Sequence, residues 1–248
     1  VSVKVNSTHA EETGPTAPEL RPAPERVLAA QALARVYPWG VRNYGELLKL
    51  QETLRAERRA DSIPDTWLAG EHPTVITQGV RGAAGDLVAP QCGYPVFQVD
   101  RGGQTTLHNP GQLVIYPIAR TQPGMLAQAR ASKLLLLSVR DWLADVTGVL
   151  LEAPKGRPGL FAADRKVAAI GLSIHGCITM HGIAINCCND LSPWQTIIPC
   201  GEPSTRPQTL SALLGRPLAP TDLLPTLPAL LTHYWNYRQV TWLPQIDG

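Results

Sequence analysis

A cysteine set between proline and glycine is a candidate nucleophile. Cys200 lies in the run IIPCGEP, where Pro199 and Gly201 fix the backbone and leave the thiol little neighbouring bulk. The thiolate is the form that attacks acyl carbon, and a free thiol is mostly protonated at neutral pH, so such a residue needs a cation or a base beside it. Lys166 opens KVAAIGLSI, an otherwise largely apolar stretch, 34 residues earlier. An ammonium facing a pocket there would favour the thiolate. The competing readings are a lysine that snorkels from a strand end and a cysteine that is simply a small buried hydrophobe, the commonest role of a free thiol. Residue types and spacing leave both readings open and do not by themselves pair the two groups.

The stretch RGGQTTLHNPGQ, Arg101 to Gln112, is the second candidate. Gly102 and Gly103 permit positive φ or close approach to a ligand, and Pro110-Gly111 signals a turn. A polar, glycine-marked loop that runs straight into the apolar strand pattern QLVIYPI predicts a binding contact. It is not a phosphate loop, because G-x-x-x-x-G-K-[ST] is absent. His72, His108, His175 and His181 read first as structural hydrogen-bonders. His175, Cys177 and His181 share one strand parity, and Cys187 or Cys188 follows closely, but no Cys-x-x-Cys clip accompanies them, so the expectation is no metal. Cys187-Cys188 reads as two core or surface thiols rather than a strained disulfide.

These groups need a scaffold. The chain has 248 residues, 44% of them hydrophobic, enough for a substantial core. A charged fraction of 17% and a net charge of +2 give no field that argues for nucleic acid. No apolar run approaches a membrane span. Five cysteines, an odd number without a regular framework, predict a reducing cytoplasm. Residues 1–35, with four prolines in EETGPTAPELRPAPER, read as a flexible tail, leaving 36–248 as one domain.

NYGELLKLQETLRAERRA reads as an amphipathic helix with Asn43 as its cap. Tyr44, Leu47, Leu48 and Leu54 share one face, on which Gln51 is the exception, and Arg55, Arg58 and Arg59 are read as solvated or as a docking face together with Arg81. Strands are expected in DTWLAGEHPTVITQG, broken at His72-Pro73, and in YPVFQVD, QLVIYPI, GLFAA, KVAAIGLSI and ITMHGIAIN. MLAQARASKLLLLSVRDWLADVTG is a long helix closed by Gly148, TLSALLG a short one stopped by Gly215, and a last helix begins near Thr226 with Pro228 in its first turn. Strands and helices mix without strict βαβ alternation, which gives an α+β class, a mixed sheet with packed helices.

Taken in order, GEHPTVITQG, RGGQTTLHNPGQLVIYPI, KVAAIGLSI and HGIAINCCNDLSPWQTIIPCG resemble the lipoyl(octanoyl) transferase family, over about residues 40–215. The resemblance implies a fold like the catalytic domain of biotin and lipoate protein ligases. It implies transfer of an octanoyl group from octanoyl-acyl carrier protein to a lysine of the lipoyl domains of 2-oxoacid dehydrogenases or of the glycine cleavage H protein. It implies Cys200 as the acyl-thioester residue and Lys166 as its activator and base, with no cofactor, in a monomer. Arg101, Gly102, Gly103, Gln104, Thr105, Thr106, Leu107 and His108 match the family's acyl-binding loop, Ala169, Ile170 and Gly171 its AIG segment, and Gly182, Ile183 and Ala184 its HGIA segment. The chain departs from the family's TYHGPGQ at Leu107 and Asn109; asparagine tolerates positive φ, whereas loss of the ring at 107 is expected to alter pocket shape or chain-length preference. Two rival readings accompany this one: an ATP-dependent lipoate or biotin ligase, which makes an acyl-adenylate and needs no thiol, and a non-catalytic module that holds a lipoyl domain or carrier protein.

Overall fold

A computed structural model describes residues 33–89, 93–198 and 205–245. Its frame is a mixed sheet in the strand order β10-β8-β9-β6-β2-β1-β11, with β7 paired to β8, flanked by a small three-stranded sheet ordered β4-β3-β5. The large sheet comprises β1 (Leu33–Val41), β2 (Asp65–Glu71), β6 (Gln112–Ile118), β7 (Leu160–Ala162), β8 (Arg165–His175), β9 (Ile178–Asn186), β10 (Arg206–Pro207) and β11 (Gln239–Trp242); the small one comprises β3 (Val75–Gln78), β4 (Val96–Gln98) and β5 (Thr105–His108). β1 runs parallel to both β2 and β11, and β8 to β10, while β2–β6, β6–β9 and β8–β9 are antiparallel.

β2, β3, β4, β6, β7, β8 and β9 lie where apolar runs predict them, β1, β5, β10 and β11 are additional, and the α+β class is realised. β6 and β9 are buried along their whole length. The β8–β9 hairpin turns at Gly176 and Cys177, both left-handed (φ 57° and 65°), the pairing that a two-residue primed turn demands. Gly182 is fixed by packing: a Cβ there would stand 1.9 Å from the Ile115 carbonyl oxygen on β6.

Helix α2 (Ala127–Thr147) covers one face of the sheet through Leu135, Val139 and Trp142, and ends at Gly148 with φ 76° as its left-handed cap. Helix α1 (Tyr44–Arg59) covers the other face with a stripe of Tyr44, Leu47, Gln51 and Arg58. Gln51, the polar exception, serves a purpose there, since its Oε1 accepts the His181 backbone N–H at 2.9 Å, where His181 is held at φ 57° inside β9. Helix α3 (Leu210–Leu214) stops at Gly215.

Several expectations need correction. β1 begins at Leu33, so the domain reaches into the stretch assigned to a tail; the residues before it lie outside those described. Asn43 occupies the N-cap position, but its side chain makes no capping bond and donates to Glu46 at 3.4 Å. Arg58 is not solvated: its Nε donates to Asp65 Oδ1 at 2.6 Å, and Asp65 is fully buried. The opening polar loop contains a strand, β5. The last helical run starts earlier, at Pro220, and is broken into short pieces through Tyr234. Prolines at 225 and 228 each remove a backbone donor inside it.

Candidate active site

Between the small sheet and the β6–β9–β8 floor lies a cavity of about 180 Å³. That is smaller than the roughly 300–1,000 Å³ of a drug-sized site. Arg101, Gly103, Gln104, Thr105, Thr106 and His108 line it from the small-sheet side; Ala169, Ile170 and Gly171 of β8 and Gly182, Ile183 and Ala184 of β9 line it from the floor. Register explains the smooth floor, since Gly171 faces Gly182 and Ala169 faces Ala184 across the strand pair. Tyr44, Val114, Tyr116, Gly156, Pro158 and His181 complete the lining, together with exposed Arg81.

Three of the described residues singled out from sequence, Gly102, Leu107 and Lys166, are not among those that line the cavity. Gly102 is spent on architecture, its N–H donating to the Leu172 carbonyl at 2.9 Å. Leu107 points away, into a satellite cluster with Ile76, Trp194 and Ile197. Asn109 needs no positive φ; its amide donates to the Asp190 carbonyl at 2.7 Å and its oxygen accepts from Asn189 at 3.0 Å. Cys187 is a core thiol, pushed up to about 12 by burial, and Cys188 is exposed.

Lys166 is buried, 3% exposed, with Nζ 5.3 Å from the centre of the Phe161 ring. Its carbonyl accepts the Gln208 N–H at 2.9 Å and the Asn186 amide at 3.4 Å. From Asn186 a chain of hydrogen bonds leads to the cavity wall, through Gln112 (2.9 Å) to His108 Nδ1 (2.7 Å). Cys200 lies outside the described residues. The described chain on either side of it is anchored: the Ile198 N–H donates to the Asp86 carbonyl at 2.7 Å, and β10 returns with Arg206 opposite Arg165 and Pro207 opposite Lys166.

The buried imidazoles are held neutral. Burial brings His72 down to about 4; its Nδ1 donates to the Arg42 carbonyl (2.7 Å) and its Nε2 accepts from the Tyr116 hydroxyl (2.9 Å). Burial, helped by His72, brings His108 down to about 3, and its bond to Gln112 through Nδ1 leaves Nε2 as a lone pair on the cavity. His181 donates through Nε2 to Asp100 at 2.8 Å and is lowered by burial even so; that bond, with one from His175 at 2.6 Å, holds the Asp100 carboxyl well below the usual range. Tyr44, pushed up by burial, closes the set with its hydroxyl 3.4 Å from His181 Nδ1. His181 stands opposite Leu172, six residues along β8 from Lys166, or about 20 Å at the usual strand rise. It lines the cavity well away from Lys166 along the strand pair. Sequence reading missed Asp100, which nothing local marks, and saw Gln51 only as a polar exception on its helix; both hold His181 across more than 80 residues.

Residues 43–230 match the family described as lipoyl protein ligase A/B catalytic domain. The octanoyltransferase of Acidothermus cellulolyticus is 42% identical over 202 residues, 79% of this chain and 89% of its own length. That of Corynebacterium efficiens is 37% identical over 225 residues, 87% and 86% respectively. LipL1 of P. falciparum, solved in complex with lipoate, aligns with a TM-score of 0.66 and 14% identity over 86% of this chain and 66% of its own. That likeness speaks to the fold alone.

Proposed function

The chain belongs to the lipoyl protein ligase A/B catalytic domain family, and from that premise we propose that it is an octanoyltransferase of protein lipoylation. The octanoyl group passes from octanoyl-acyl carrier protein to Cys200, and from Cys200 to a lysine of a lipoyl domain, on a 2-oxoacid dehydrogenase or on the glycine cleavage H protein. The enzyme acts as a monomer in the cytoplasm, without ATP, metal or cofactor. The observation that carries this reading is the small cavity floored by Ala169, Gly171, Gly182 and Ala184, in a chain that shares most of its length with octanoyltransferases.

The chemistry balances on two groups. The Cys200 thiolate attacks the donor thioester; its sulfur–carbon bond forms as the bond to the carrier's sulfur breaks, and the carrier leaves as thiol, taking the proton of the Lys166 ammonium and leaving that amine neutral for the second step. Thioester exchange of this kind is nearly isoenergetic. The acceptor amine then attacks the Cys200 thioester, Lys166 takes the proton the nitrogen must lose, and Cys200 leaves as thiolate. The amide is far more stable than either thioester, which drives the sequence forward. His108, neutral down to about pH 3, is too weak a base for that proton. Support for Lys166 is its burial on the strand that floors the cavity, with the segment following Cys200 rejoining the sheet beside it.

The test is intact-mass measurement after mixing with octanoyl-acyl carrier protein and no nucleotide. One octanoyl group on the wild-type chain, lost in Cys200→Ala, is the expected result. Lys166→Met should slow alkylation of Cys200 near neutral pH; equal rates remove Lys166 from the role. An adduct that requires ATP points to a ligase instead, and no adduct under either condition to a binding module.

A further inference from the structure

We propose that Tyr44 fixes the length of the acyl group: its ring is the partition between the cavity and a second hollow behind it, and a chain longer than octanoyl runs into that ring. Tyr44 lines both spaces. The second is a largely apolar groove of about 470 Å³, lined also by Gly45, Thr74, Val75, Pro95 and Phe97. On the cavity side the ring lies nearly parallel to that of His108, centroids 6.2 Å apart, and its hydroxyl stands 3.4 Å from His181 Nδ1. On the groove side it meets the Phe97 ring at 5.1 Å.

The inference rests on the octanoyl reading, and the two ends of the cavity give the chain its direction. The exposed lining residues are Arg81, Gly156 and Pro158. All three belong to the β8 side. Residues 156 and 158 lead into β7, which pairs with β8; the Arg81 N–H donates to the Gly103 carbonyl, and the neighbouring Gly102 N–H donates to Leu172 of β8. A Cβ at Gly159, next to Pro158, would stand 3.2 Å from Lys166 Cε, so the proposed base lies by the same stretch. Carrier and acceptor are proteins and cannot enter, so the thioester stays at this open side. Opposite lie Val114 and Tyr116 of β6, both buried, in one apolar cluster with Tyr44. Between the two sides the floor crosses β8, β9 and β6 in order, two strand spacings, or about 10 Å. Seven carbon–carbon bonds of about 1.5 Å, laid zigzag, reach about 9 Å. An octanoyl chain thus fills the depth, and its methyl end meets Tyr44.

The ring is hemmed in. His72 flanks it at 5.3 Å and Phe97 at 5.1 Å, and its hydroxyl is held at His181. A tenth or twelfth carbon in the wild-type cavity must overpack this cluster. Without the ring, cavity and groove become one continuous apolar space that takes the added methylenes, while the reacting end keeps its place at the opening. Loss of the ring therefore changes which chain is preferred rather than how the thioester reacts.

The experiment offers acyl carrier protein loaded with C8, C10 and C12 chains in equal mixture and reads the adduct ratios by intact mass on wild type, Tyr44→Ala, Tyr44→Leu, Tyr44→Phe and Phe97→Ala. Wild type should take C8 over C12. Each methylene that finds apolar room changes the ratio about fourfold. Tyr44→Ala should therefore raise the C12-to-C8 ratio at least about 15-fold, the effect of two methylenes. Tyr44→Leu, which keeps an apolar filling and decides the matter where the alanine chain does not fold, should raise it at least about fourfold. Tyr44→Phe keeps the ring and loses the hydroxyl; Phe97→Ala widens the groove and leaves the ring. Both should hold the ratio within threefold of wild type. A ratio that neither Tyr44→Ala nor Tyr44→Leu moves overturns the proposal, as does a wild type that takes C12 as readily as C8. So does Tyr44→Phe shifting as far as Tyr44→Ala, which would assign the effect to the His181 bond, or a shift in Phe97→Ala alone, which would mean that chains already pass the ring. A wild-type chain that takes up no acyl group overturns the octanoyl reading and this proposal together, whereas C8 uptake with an unmoved ratio overturns this proposal alone.

Discussion

Acidification from pH 7.5 to 5 should unload the buried imidazoles' contribution to stability. An unfolded histidine titrates near 6.5, whereas burial holds His72 at about 4 and His108 at about 3. Between those values and 6.5 the unfolded chain binds more protons than the folded one, so stability is full above pH 6.5 and is lost as pH falls towards 4. At pH 5 each residue has given up about 2 kcal/mol, about 4 kcal/mol together, a large share of a typical 5–15 kcal/mol. His181, also lowered, acts in the same direction. With a urea slope of about 3 kcal/mol/M for a domain of this size, the unfolding midpoint should drop by about 1.3 M between the two pH values. Urea titrations followed by tryptophan fluorescence measure this directly. In His108→Asn the amide can still donate to Gln112 where Nδ1 did, and the titrating group is gone, so the drop should shrink by about half. A drop under about 0.3 M in wild type, or an undiminished one in His108→Asn, would refute the assignment of neutral buried imidazoles.

Arg58→Met should cost about 3–5 kcal/mol, read as a lower melting temperature, because it strands the fully buried Asp65 carboxylate; adding Asp65→Asn should recover part of the loss. Leu107→Tyr, which restores the ring found in relatives of the same motif, should leave acyl-length preference within about threefold in a competition among C6, C8 and C10 donors, while overpacking the Ile76–Trp194 cluster by about 1–3 kcal/mol.

Much of this molecule is written locally. The apolar alternation of β8 and β9, the glycine ends of α2 and α3, and the break at His72-Pro73 all reappear at their expected places. What escaped is written across distance. Arg58 looks like one more charge on a helix until Asp65 arrives from β2. Gln51 looks like a flaw in an apolar stripe, because the amide it receives is 130 residues away. β5 is hidden because three of its four residues are polar: Thr106 and His108 line the cavity, and the Asp86–Gln78 network uses Thr105, leaving Leu107 alone as an apolar signal. β1 is disguised by Pro38 and Gly40, which sit at a register shift within it. The cavity residues were legible through order of motifs, but Leu107 was misread because strand parity, set by pairing with β3, decides which way it points.

Lys166 is fastened by its backbone, through the Gln208 N–H and the Asn186 amide on its carbonyl and the register with Pro207, whereas the chemistry proposed for it belongs to its side chain. Anchorage and reactivity thus reside in separable parts of one residue. Replacing the amine with an inert side chain would keep those backbone bonds, give up the contact with the Phe161 ring and, on the proposed chemistry, lose turnover.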